Sequence, residues 1–206
     1  QQQRAGERRA PSTPSPQRRH PQATAGGDRV FYGSSAEHTV HCLDAYSGKE
    51  KWVFFTDGPV RFAPVVWRDR VFFTSDDGNL YCVKAADGKG IWKLPGAPAA
   101  HKVLGNQRLI SAWPARGGPV ERDGNIYFAA SIWPMMGTFI YCIDAKSGAI
   151  KWLNDGTSAL YIRQPHSAPS FAGVAPQGAL VATQDVLLVP GGRSVPAAFN
   201  RHNGQF

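Results

Sequence analysis

The chain has 206 residues, 42% of them hydrophobic and 18% charged, with a formal net charge of +8 and a sequence pI near 9.7. No run of 18 apolar residues interrupts it, which excludes a bilayer-spanning helix. The three cysteines form no C-x-x-C or C-x-x-C-H spacing, so zinc ribbons and covalently attached haem lose their sequence support.

Residues 1–27 are a polymer of their own, rich in Gln, Pro, Ser, Ala and Arg. Arg4, Arg8, Arg9, Arg18 and Arg19 against Glu7 give this stretch +4 (five minus one) of the chain's +8. So little apolar surface cannot offset the entropy of ordering, and the segment is expected to be a disordered basic tail. The folded region is expected to span 28–206. Since half of the net charge sits in the tail, and the aromatic residues are not interleaved with a basic groove, no nucleic-acid partner is implied.

From residue 28 onward one unit recurs. Leu43-Asp44-Ala45-Tyr46-Ser47-Gly48-Lys49-Glu50-Lys51-Trp52 returns as Val83-Lys84-Ala85-Ala86-Asp87-Gly88-Lys89-Gly90-Ile91-Trp92, then as Ile143-Asp144-Ala145-Lys146-Ser147-Gly148-Ala149-Ile150-Lys151-Trp152. A faded copy, Phe199-Asn200-Arg201-His202-Asn203-Gly204-Gln205-Phe206, closes the chain. The glycines are 40 (48 to 88), 60 (88 to 148) and 56 (148 to 204) residues apart. Short runs rich in Val, Phe, Tyr, Trp and Ile separate the motifs: Phe62–Trp67, Arg70–Thr74, Asn79–Lys84 and Gly90–Leu94. Each is bounded by Gly, Asp or Pro, as antiparallel strands are. Asp76-Asp77-Gly78-Asn79 and Arg122-Asp123-Gly124-Asn125 read as reversals, the second leading into Ile126–Ala129, and no stretch carries helical periodicity. The expected fold is all-β: a propeller of four-stranded antiparallel blades, here an incomplete arc of three to four blades, because one unit cannot bury its own apolar face. An arc with two unpaired sheet edges points to a piece of a longer protein.

Within the motif, Asp44 and Asp144 can cap nearby backbone N–H groups, Gly48, Gly88 and Gly148 supply the reversal, and Trp52, Trp92 and Trp152 offer a large apolar plate with one donor. An Asp-Ala-x-Ser/Thr-Gly-x-x-x-Trp turn after a Tyr-x-Leu/Ile strand resembles the repeat of pyrroloquinoline-quinone (PQQ)-type propellers. The resemblance covers residues 28–206 and is strongest in 40–94 and 138–153. It implies that Trp52, Trp92 and Trp152 dock on the neighbouring blade's motif and tighten the ring. It also implies an extracytoplasmic, periplasmic or cell-envelope, location. The family holds quinone-dependent dehydrogenases, members that bind no quinone, and the outer-membrane assembly lipoprotein of bacteria, so the fold leaves function open.

Cys42, Cys82 and Cys142 fall in one strand phase of successive repeats and read as copies of one buried small-apolar position, too far apart for a disulfide. His38 and His41 are an odd number of residues apart on a strand, which argues against a shared metal ion. In repeat phase His41 takes the aromatic slot of Tyr81 and Tyr141, and His38 takes the turn position of Gly78.

Against a 40-residue unit, the second and third intervals carry about 20 and 16 extra residues, and such insertions are where a propeller binds ligands. They map to Ala97–Ala115, Ile132–Thr138 and Asn154–Gly178. Arg163, Gln164 and His166 form a ligand-loop candidate, an arginine and a histidine being suited to an anionic or polyol ligand; their alternative use is to tie down a long loop. Trp133, with Met135 and Met136, is placed to plug the channel, face a protein partner, or fold over its own blade. No nucleophile elbow, phosphate loop or calcium-ligand carboxylate set stands out. The favoured reading is a non-catalytic scaffold or binding platform, its partners being other proteins or the remaining blades. The alternatives are part of a PQQ- and calcium-dependent alcohol or sugar dehydrogenase, and a ligand-sensing or carbohydrate-binding propeller. No cofactor follows from the residues themselves.

Overall fold

The computed structural model describes residues 22–105, 108–158, 161–163, 167–171, 173–191 and 196–206. Four sheets follow one another along the chain. The first runs β1 (Ala23–Gly26), β2 (Arg29–Ser34), β3 (Thr39–Asp44), β4 (Glu50–Phe55), and the second β5 (Val65–Trp67), β6 (Arg70–Thr74), β7 (Asn79–Lys84), β8 (Gly90–Pro95). After a hairpin of β9 (Lys102–Gly105) and β10 (Arg108–Ser111), the third is built from β11 (Gly117–Arg122), β12 (Asn125–Ala130), β13 (Phe139–Asp144) and β14 (Ile150–Asn154). A second hairpin, β15 (Tyr161–Arg163) with β16 (Pro169–Phe171), leads to β17 (Gly178–Ala179), which pairs in parallel with β11. The fourth sheet has three strands, β18 (Val181–Ala182), β19 (Val186–Val189) and β20 (Ala197–Asn200). The first strands β1, β5, β11 and β18 lie side by side around the inside of the arc. The architecture is an arc of a β-propeller, three four-stranded blades and a shorter fourth.

β1 falls inside the stretch expected to be tail, so the folded region begins earlier than residue 28. Ala-Thr-Ala-Gly offers only Thr24 of the residue types that mark a strand. It pairs in full register with Arg29–Tyr32 because Gly27, at φ 61°, closes a tight reversal. Residues 1–21 lie outside the described residues. The strand expected at Phe62 starts only at Val65, since Pro64 has no N–H for a ladder and Phe62 instead covers Gly118 of β11. Among the described residues the one helical turn is a 3-10 turn at Pro134–Met136, inside the Ile132–Thr138 insertion.

Alternation along the strands explains the three cores. In β6, Val71 and Phe73 face the first blade while Phe72 faces the third, so both sides are buried and the strand reads as a continuous apolar run. Phe31, Val40, Cys42, Trp52 and Tyr81 fill the first seam. Phe72, Cys82, Phe128 and Tyr141 fill the second, and Tyr127, Cys142, Leu187 and Phe199 the third. Cys42, Cys82 and Cys142 stand opposite Trp52, Trp92 and Trp152 in the β3–β4 type ladders, and all three thiols are free and buried. Burial pushes the Cys82 thiol up to about 12.

Each motif turn, after the third strand of its blade, carries a glycine at positive φ, and each seam places an indole on the next blade's glycine. A Cβ at Gly88 would lie 2.7 Å from Trp52 Cδ2, and one at Gly204 2.5 Å from Trp152 Cε3. Gly48 has the same backbone (φ 68° against 71°), but a Cβ there meets nothing within 4 Å. This contrast separates two costs of alanine. Gly48→Ala carries only the left-handed backbone penalty, about 1–2 kcal/mol. Gly88→Ala adds the displaced indole and is expected to cost about 2–5 kcal/mol, backbone strain and overpacking together. Urea midpoints of the two variants measure the difference; equal values would remove the contact from the argument.

Candidate functional site

Strand order puts the motif turns at one end of the blades. The other end carries the β2–β3 type turns, the blade-to-blade connections and both inserted hairpins; it is called here the insertion face. The motif face is stapled locally. Asp44 Oδ1 accepts from the Ser47 amide and hydroxyl, each at 2.9 Å, and from the Tyr46 amide; Asp144 repeats the pattern with Ser147 and Lys146. Lys51 bridges Asp28 and Asp44 at 2.9 and 3.0 Å. The Ser47 amide first, then Lys51 and the Ser47 hydroxyl, hold the Asp44 carboxyl well below the usual carboxylate range, and the Ser147 amide does the same for Asp144.

A carboxyl with a depressed folded-state value stabilises the fold above its unfolded value of about 3.9, and that contribution is lost as pH falls through the folded value. The urea midpoint is therefore expected to drop on acidification from pH 5 to pH 2.5. Asp44→Asn/Asp144→Asn, which keeps the acceptor and removes the titration, should flatten the drop; parallel curves would contradict the assignment.

On the insertion face the geometry is different. Asp76, between β6 and β7, has a side chain only 1% exposed and lies between two guanidinium groups. Arg61 Nε and Nη2 both reach Asp76 Oδ2 at 2.7 Å. Arg116 completes the pair with Nε to Oδ1 and Nη2 to Oδ2, both 3.1 Å. Arg61 and Arg116 occupy matching places in the connections entering β5 and β11, written in the chain as Pro59-Val60-Arg61 and Pro114-Ala115-Arg116. One buried carboxylate thus ties two consecutive inner strands together. Neither arginine was singled out from the sequence, although the repeated Pro-x-Arg was the available signal. Asp76 read only as a turn residue.

Trp133 is half exposed at the start of the 3-10 turn, its backbone amide donating to Ser131 Oγ at 3.2 Å. The carbonyl of Met136, at the end of that turn, accepts from Trp113 Nε1 at 2.7 Å. Trp113 follows the β9–β10 hairpin, and the His101 ring stacks on it with centroids 6.1 Å apart. The two insertions therefore meet at Trp113. The β9–β10 hairpin carries Val103, Leu104 and Leu109, and the 3-10 turn with its flank carries Trp133, Met135 and Met136, all exposed apolar side chains. Arg163 is exposed and donates from Nε to Ser167 O at 3.2 Å, closing its own hairpin. Gln164 and His166 lie outside the described residues, so the three are not brought into one described site.

His41 stacks on Tyr32 (centroids 4.7 Å, interplanar 5°) and hydrogen-bonds Glu50, Thr39 and Glu37. His38 stands apart, at φ 60° in the β2–β3 turn, with Nε2 2.8 Å from Arg108 Nη1. Among the described residues no group of three His, Cys, Asp or Glu side chains is placed to hold a metal ion.

A family model described as outer membrane protein assembly factor BamB matches residues 2–113, 112 of the 206. The chain belongs to that family. Within this BamB-type, PQQ-like propeller family it is similar to the tetrathionate hydrolase of Acidithiobacillus ferrooxidans, 28% identical over 133 residues, which cover 65% of this chain and 22% of the relative. It is also similar to the dehydrogenase subunit of the quinone alcohol dehydrogenase of Acetobacter aceti, 26% identical over 140 residues, 61% of this chain and 18% of that one. The chain thus spans about a fifth of the length of these curated relatives. In fold it superposes on the quinohemoprotein alcohol dehydrogenase ADHIIG of Pseudomonas putida with a TM-score of 0.67 at 14% identity, over 89% of this chain and 32% of that one. The computationally designed Ika4 protein gives 0.59 at 14% identity over 92% and 95% of the two chains. These likenesses establish the propeller.

Proposed function

We propose that this BamB-type propeller segment is a non-catalytic platform whose insertion face receives a protein partner. The observation carrying this reading is the bond from Trp113 to Met136 that joins two insertions, each of which carries exposed apolar side chains, with Leu104 76% and Trp133 51% exposed. Protein contacts are enriched in Trp and Met, the residue types that the 3-10 insertion leaves exposed. The family's name as an assembly factor supports a platform and an extracytoplasmic location.

The relatives named as quinone dehydrogenases motivate a second reading, in which the whole protein oxidises an alcohol with PQQ and calcium. The residues described here do not fit the calcium part. The buried carboxylate of the insertion face, Asp76, has both oxygens committed to Arg61 and Arg116. A ligand-sensing role would rest on Arg163, Gln164 and His166, of which Arg163 bonds its own hairpin.

Photo-crosslinkers at Leu104, at Trp133 and, as a control on the motif face, at the exposed Tyr46 test the platform in the full-length protein. The same protein is expected to be captured from Leu104 and Trp133 but not from Tyr46. Leu104→Glu/Met135→Glu should abolish capture with an unchanged thermal midpoint. Equal capture from Tyr46, or dye-linked alcohol oxidation after loading with quinone and calcium, would replace this reading.

A further inference from the structure

We propose that the β9–β10 hairpin is a proton-released strap, latched across the first two blades by Arg108 bonding neutral His38 and freed when His38 takes up a proton. The hairpin departs from the second blade, and its base is tied to that blade by Ser111 N–H donating to Asp76 O at 2.9 Å. Its other attachment crosses to the first blade: Arg108 Nη1 donates to Ser35 O at 2.7 Å and to His38 Nε2 at 2.8 Å. A guanidinium has donors and no lone pair to offer, so the contact requires an imidazole nitrogen that accepts. His38 must therefore be neutral, with its proton on Nδ1, whenever the strap is latched.

The turn presents the ring in a fixed way. His38 sits at φ 60°, where the second blade has Gly78 at φ 90°, and its carbonyl is held by the Thr56 amide and hydroxyl at 2.8 and 2.9 Å. The charged groups facing the ring are Arg108 from β10, Arg61 from the connection entering β5, and Asp76 and Asp77 from the β6–β7 turn. Burial, and then Arg108, hold the His38 imidazole below its ordinary value of 6.5; the two aspartates oppose this less strongly. Protonation would set two cations in contact and remove the acceptor. Strap closure is thus complete above the released ring's ordinary value near 6.5 and weakens as pH falls toward the lower latched value. Opening frees the strands that carry Val103, Leu104 and Leu109, so acidity would govern the mobility of the exposed apolar side chains of this insertion. The latch stands on its own contacts whether or not the insertion face docks a protein.

Amide hydrogen exchange of the full chain at pH 7.5 and pH 5.0, corrected for the intrinsic rates, reads the latch at Val103 and Ile110, the amides that face each other inside the hairpin ladder. Wild type is expected to lose protection there by up to about tenfold per pH unit within the linkage window, while β6 and β7 keep theirs. His38→Gln retains an acceptor without a titrating group and should keep the hairpin protected at both pH values. Arg108→Ala should leave it open at both. Nitrogen-15 NMR of His38 in wild type must show Nδ1 protonated at pH 7.5, and its titration must move up toward the ordinary value in Arg108→Ala. Identical pH dependence in wild type and His38→Gln, wild-type protection in Arg108→Ala, or an unmoved His38 titration would each overturn the latch.

Discussion

Trp52→Ala is expected to destabilise the chain by about 3–5 kcal/mol, the range for emptying a buried aromatic site. Trp52 is 8% exposed, its Nε1 donates to Ala85 O across the seam at 3.0 Å, and its ring lies on Gly88. Phenylalanine separates packing from the hydrogen bond. Trp52→Phe keeps most of the apolar contact and loses one neutral bond, about 1 kcal/mol.

The second seam predicts a different outcome for the same exchange. Trp92 covers Gly148 as Trp52 covers Gly88, but its buried Nε1 finds no hydrogen-bond partner among the described residues. The matching carbonyl, Ala145 O, instead accepts from Arg70 Nη1 at 3.1 Å. Trp92→Phe removes an unsatisfied donor together with a little packing, so it should cost less than Trp52→Phe and can come out near neutral. In the third seam the bond returns, Trp152 Nε1 to Arg201 O at 3.0 Å. Chemical denaturation of the three Phe variants measures the ordering; Trp92→Phe as costly as the other two would mean that the indole N–H is satisfied in solution.

That difference was not readable in the sequence, and the reason is general to this chain. The repeat made the strands and turns legible: three in-phase motifs fix where each chain reversal falls, and the apolar runs are continuous where the middle strands β6, β7, β12 and β13 are buried on both faces. The cysteines, too, were placed correctly as one buried position, because spacing alone aligns them. What spacing cannot carry is pairing across blades. Arg70 meets Ala145 from 75 residues away, Arg108 meets His38 from 70, and Arg116 meets Asp76 from 40. These contacts depend on how loops fold over the rim. β1 escaped notice because Ala23–Gly26 owes its strand conformation to its partner β2 and to the Gly27 reversal rather than to its own side chains. Of the site residues named from sequence, Trp133 is exposed at the start of the 3-10 turn, whereas Arg163 is spent on its own hairpin.

Asp76→Ala should be as damaging as losing Trp52, though for an electrostatic reason. With the carboxylate gone, Arg61 and Arg116, whose side chains are 17% and 21% exposed, face each other without a counter-charge. Removing one partner of a buried ion pair typically costs about 3–5 kcal/mol, because the remaining charge keeps its desolvation penalty and loses its attraction. Here two cations are orphaned at once, so the upper part of that range applies. Arg61→Met or Arg116→Met alone should cost less, since the remaining guanidinium still pairs with both its bonds to Asp76 intact. The triple variant Asp76→Leu/Arg61→Met/Arg116→Met discriminates between a stabilising network and one retained to register the two inner strands. With no charge left to desolvate, it is expected to recover most of the stability lost in Asp76→Ala. Denaturation midpoints of the four variants decide the point: a triple variant as unstable as Asp76→Ala would show that the ion triad itself, and not the avoidance of orphaned charge, holds β5 and β11 in place.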